Sequence, residues 1–109
     1  MPLTTEQKTE IQDVIFTFGK DFYRQTELTH ILNLITKDPT EDGVNAAFDY
    51  LKCFAGISFG TSYANFVTST TTSLSENSLR LMLSKVSAIL RRIEAENENA
   101  DEEENIDQG

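Results

Sequence analysis

The chain has 109 residues, 39% of them hydrophobic, with 18 acidic and 9 basic side chains for a formal net charge of −9. That length holds one domain with a modest core, and no apolar run approaches the 18 or more residues of a membrane-crossing helix. The charge is unevenly divided: from Glu94 onward there are eight acids and no base, which leaves ten acids against nine bases in residues 1–93. That nearly neutral remainder lacks the clustered basic surface of a nucleic-acid binder.

The opening Met-Pro-Leu-Thr-Thr-Glu lacks the basic and apolar segments of a secretory signal, and neither end carries a lipidation motif, so a cytoplasmic location is expected. Thr4 and Gln7 have capping-box spacing, with Leu3 placed as a hydrophobic staple. Ile11, Val14, Ile15, Phe18 and Phe22 follow at helical spacing and predict a helix from about Thr5 to Tyr23. Gly19 inside it costs about 1 kcal/mol relative to alanine and marks either a close helix crossing or a bent turn.

A second helix is predicted over Thr26 to Thr36, with Leu28, Ile31, Leu32 and Ile35 as its buried face and Lys37-Asp38-Pro39 as its stop, because the residue before proline is pushed out of helical geometry. Thr40 caps the third helix, with Glu41 and Asp42 in its positively polarised first turn. Val44, Ala47, Phe48, Leu51, Phe54 and Ala55 form its apolar face, and Gly56 is its expected stop. Cys53, the one cysteine, has no disulfide partner and is expected as a small buried hydrophobe. Between Ile57 and Thr72, Phe59, Tyr63, Phe66 and Val67 favour a helix over 59–67, although the Thr and Val content suits a strand. Thr68 to Thr72 is expected as a loop, and a Ser/Thr-rich connector is a commoner reading of it than a phosphorylation site.

The stretch Ser73 to Ile93 organises the rest. Leu79, Val86 and Ile93 repeat at heptad position a, Met82 and Ile89 at d, Leu83 and Leu90 at e, a stripe wide enough to pack between neighbours in a bundle. Ser73 and Glu76 have capping-box spacing, and Lys85, Arg91 and Arg92 complement the negative end of the helix dipole. Beyond about Asn99 the polar, acidic sequence cannot bury enough surface to offset its ordering entropy and is expected to be disordered. The predicted fold is therefore all-α, a bundle of four to five helices over residues 1–93 with a disordered acidic tail over 94–109.

Catalytic patterns are missing from this sequence: there is no glycine-rich phosphate loop, dinucleotide fingerprint or His-Glu-x-x-His motif, so an enzyme is not expected. Glu27 and His30 have the Glu-x-x-His spacing of di-iron bundles, yet they flank the apolar face and one chain has a single histidine, so no metal site or cofactor is assigned. The leading expectation is a protein-interaction module such as an adaptor, assembly factor or inhibitory subunit. Leu74 and Leu81, which lie off the main stripe, are the candidate partner or dimer surface. Arg91 and Arg92 are candidate contacts for an acidic group, though helix-end stabilisation explains them more simply. Glu102, Glu103 and Glu104 in the tail are candidates for capturing or masking a basic protein surface, the runner-up function. A metal or small-ligand bundle ranks third, and no nucleic acid or membrane is expected as a partner.

Overall fold

Among the described residues, helical spacing of apolar side chains gives five helices and there is no strand. The computed structural model describes residues 3–70 and 73–108, with side chains through residue 98. In order, α1 is Thr5–Gly19, α2 Gln25–Lys37, α3 Glu41–Leu51, α4 Tyr63–Thr68 and α5 Leu74–Gln108. The all-α bundle expected from the sequence is the fold observed.

All seven residues of the α5 stripe, Leu79, Met82, Leu83, Val86, Ile89, Leu90 and Ile93, are buried. Each large apolar side chain taken out of water contributes about 1.5–3 kcal/mol, so this one face is a main source of stability. α1 runs antiparallel along it: Glu10 meets Arg92, Phe18 lies under the Lys85 ammonium, and Gly19 faces Met82. α2 and α3 form a second pair, joined by the turn at Asp38 and Pro39, and bring Ile31, Ile35, Val44 and Phe48 into the same core. The short α4 packs between α3 and α5, with Phe66 stacked 5.0 Å from the Phe48 ring. Gly19 does mark a close crossing, since a Cβ there would fall 2.5 Å from a Leu28 methyl and 2.7 Å from the Met82 methyl.

The helix starts follow their cap residues. Thr4 N donates to Gln7 Oε1 at 2.9 Å while Gln7 N donates to Thr4 Oγ1 at 3.1 Å, a complete capping box. Thr40 Oγ1 accepts from Asp42 N at 3.2 Å, and Ser73 Oγ accepts from Glu76 N at 3.4 Å. Two starts escape sequence reading: Glu27 Oε2 accepts from Arg24 N at 2.9 Å to open α2, and Ser62 Oγ accepts from Asn65 N at 3.2 Å to open α4.

Several expectations are corrected. Leu3 is buried, but the position it would staple is Lys8, and it joins the main core cluster instead. α1 stops at Gly19 rather than Tyr23, and the chain passes into a tight turn in which Phe22 N and Tyr23 N both bond the Gly19 carbonyl. That turn sends Tyr23 inward and leaves Phe22 40% exposed. Regular α3 ends at Leu51, yet Gly56 is the stop that was expected: at φ 76° it closes a Schellman turn, with Ile57 N on Lys52 O at 2.9 Å and Gly56 N on Cys53 O at 3.4 Å. Cys53 and Phe54 sit on the outside of that turn and are exposed, not buried.

The fourth helix begins at Tyr63, four residues later than predicted, and Phe59 lies outside it, 76% exposed. Thr68 closes α4, so the connector comprises 69–70, with 71 and 72 outside the described residues. The backbone of α5 continues as helix to Gln108, so Arg91 and Arg92 are interior to the helix rather than in its last turn. The disorder expected beyond Asn99 concerns residues whose side chains lie outside the described set.

Candidate interaction surface

α5 has a buried side and an outer side, and the outer side carries Leu74, Leu81 and Arg92 of the sequence-predicted residues. At 100° per residue, Leu74, Leu81 and Arg92 lie within about 20° of one line along the helix, while Arg91 turns about 90° away. Leu74 is 74% exposed and Leu81 50%. The same line changes character toward its far end. Arg92 Nη1 donates to Glu10 Oε1 at 2.8 Å, and Nη2 to Glu10 Oε2, a bidentate clamp between α5 and α1. Glu96 Oε1 stands 3.6 Å from Arg92 Nε. The guanidinium holds the Glu10 carboxyl below its ordinary range, chiefly through its hydrogen bonds. Arg92 is thus engaged within the chain.

Arg91 instead lines a groove of about 520 Å³ between the start of α3 and the later part of α5, floored by Leu3, Val44, Leu90 and Ile93 and edged by Glu94. The structure therefore separates the predicted site residues into an apolar end at Leu74 and Leu81 and a charged end at Arg91 and Arg92, about 15 Å along the helix from Leu81. Glu102, Glu103 and Glu104 lie outside the residues whose side chains are described.

Sequence reasoning missed a second exposed apolar area, formed where α1, α2 and α3 end or begin. Phe22 and Phe54 flank a groove of about 540 Å³ with Lys20, Arg24 and Glu27 on its walls. Phe54 is half exposed, its ring centroid is 5.7 Å from that of Tyr50, and Tyr50 in turn lies 4.4 Å from His30. Tyr23 lines this groove, but its hydroxyl is buried and has no hydrogen-bond partner among the described residues. Burial, followed by the charge of Glu27, pushes that phenol up to about 12. The only available signal was the break at Gly19, which, once α1 ends there, removes Phe22 from the helical stripe.

Compared with known proteins, the chain matches no family model, no curated relative and no solved structure. Its surface chemistry is thus the basis for reading its function. Glu27 and His30, the one metal-like spacing, are occupied separately: Glu27 caps α2 and His30 lies against Tyr50. Among the described residues no three His, Cys, Asp or Glu side chains gather as metal ligands. No helix of the described chain is long and apolar enough to cross a membrane.

Proposed function

We propose that this chain is a non-enzymatic protein-interaction module that offers the outer side of α5 to a partner, as an adaptor, assembly factor or inhibitory subunit does. The observation that carries the reading is the pair Leu74 and Leu81, both solvent-facing on a helix whose opposite side is fully buried. Covering what remains open would add up to about 1.5–3 kcal/mol of apolar burial at Leu74 and roughly half of that at Leu81, which is already half covered. Arg91 lies outside that apolar end, in the groove by the start of α3, and would serve only a partner long enough to reach there with an acidic group.

The test is a Leu74→Ser/Leu81→Ser double variant, compared with the parent chain by light scattering and by cross-linked capture of partners from its source. Exposed substitutions of this kind change stability by about 0.5 kcal/mol or less, so folding is expected to be retained. Loss of a dimer or of a captured species supports the reading; an unchanged set of complexes removes it. The second reading, an acidic segment that masks a basic surface, is favoured by the eight acids and no base from Glu94 onward. Deleting residues 95–109 and measuring binding at low and high salt discriminates, because attraction to a charged tail weakens as salt screens it.

A further inference from the structure

Arg80 is a half-buried cation that faces neutral acceptors. Its guanidinium lies 4.8 Å from the centre of the Phe66 ring, Nε donates to the Phe66 carbonyl at 3.1 Å, Nη1 to Asn77 Oδ1 at 2.7 Å, and Nη2 to Ser69 Oγ at 2.9 Å. Among the described residues no carboxylate comes within ion-pair distance of it, whereas Arg92 has Glu10 and Glu96, and the buried Lys52 has Asp49. A guanidinium held this firmly but lacking a counter-charge is prepared for an anion with several acceptor oxygens. The group it touches is a serine hydroxyl. Ser69 is exposed, follows the last residue of α4 and has extended backbone, φ −75° and ψ 156°, so an enzyme can approach it from solvent, releasing its hydroxyl from the Phe66 carbonyl and Arg80.

We propose that Ser69 is a phosphorylation site and that Arg80 receives the phosphate. A protein kinase transfers the γ-phosphoryl group of a nucleoside triphosphate: a P–O bond forms at Ser69 Oγ, the bond to the departing nucleoside diphosphate breaks, and the hydroxyl proton passes to the kinase. The ester carries about −1.5 to −2 charges at neutral pH and replaces a neutral contact by charge-assisted ones. Ser69 Oγ gives up its 2.8 Å donation to the Phe66 carbonyl, which retains Arg80 Nε and Ser69 N as donors. The effect is to fasten the exit of α4 to the second turn of α5.

The experiment uses the full chain with phosphoserine incorporated at position 69, and the unmodified chain, each with and without Arg80→Gln. Phosphoserine is expected to raise the thermal midpoint by about 3 °C or more. Its phosphorus NMR titration is expected to fall below the ordinary second ionisation near pH 6, and both shifts should vanish with Arg80→Gln. Taking the difference within each background removes any effect of Arg80→Gln on folding itself. A phosphate that leaves the midpoint unchanged, or titrates identically in both backgrounds, overturns the proposal. So does equal stabilisation of the unmodified chain by inorganic phosphate, which would make this a free-anion site. Phosphopeptide mapping of the chain from its source is expected to find the group on Ser69, and its absence there overturns the assignment.

Discussion

The buried stripe of α5 and the connection from α3 to α4 are both held against the bundle, but by different forces. Along α5, seven apolar side chains repeat at helical spacing and every one is buried. Between Lys52 and Ser62 few residues are buried; Ala55 and Ile57 touch the core near the turn at Gly56, and beyond them one side chain ties the segment down. Lys52 Nζ donates to the Phe59 carbonyl at 2.6 Å and to the Thr61 carbonyl at 3.4 Å, pairs with Asp49 at 3.1 Å, and lies over the Phe48 ring. Burial is non-directional and tolerates local adjustment, so it acts over the whole helix. Hydrogen bonds from one ammonium are directional and act on two carbonyls only.

That difference is open to measurement. The largest effect is expected on the stripe: Leu83→Ala, at a fully buried position, should cost about 2–5 kcal/mol in urea unfolding, the usual range for a truncated core leucine. A loss below about 1 kcal/mol would mean that the stripe is not the main support. Lys52→Met keeps the aliphatic stem and removes the ammonium, leaving two carbonyls without their donor. The expected loss is about 1–2 kcal/mol, with faster amide exchange confined to residues 57–63. Exchange that rises equally in α1 and α5 would erase the contrast drawn here.

The smallest effect at neutral pH belongs to a buried polar group that lacks the bonds Lys52 makes. Tyr23→Phe removes a hydroxyl with no partner and should change stability by less than about 1 kcal/mol. Its consequence appears in alkali. The folded phenol titrates near 12 against about 10 in the unfolded chain, so its contribution is fully present below pH 10 and lost as pH rises toward 12. Urea unfolding across that range should show the parent chain losing stability that the Tyr23→Phe variant does not lose. Parallel curves for the two would place the hydroxyl in water.

Much of the candidate surface could be read in advance only where it depended on helix phase. Leu74 and Leu81 lie off the α5 stripe, and their exposure followed from that. Phe22, Phe54 and Phe59 carried helical spacing as well, yet each stands outside regular helix: Phe22 past the turn at Gly19, Phe54 within the Schellman turn that Gly56 closes, and Phe59 before the cap at Ser62. Periodicity places a side chain only while the helix continues, and it cannot show where tertiary contacts end one. The partners of the cations were equally hidden. Arg92 finds Glu10, 82 residues away, and Arg80 finds Ser69, neither of them at a helical i, i+4 spacing.

By itself, then, the sequence determined the helical class, the faces of α2, α3 and α5, the caps at Thr4 and Thr40, and the separation of a nearly neutral body from an acidic end. These depend on local backbone geometry and on the spacing of apolar residues, both of which are written along the chain. The tertiary structure decided where α1 and α3 stop, which aromatics face water, why Lys52 is buried, and which acceptor each arginine meets. Those outcomes require distant segments to compete for the same space and the same hydrogen-bonding atoms, and that competition exists only once the helices have packed.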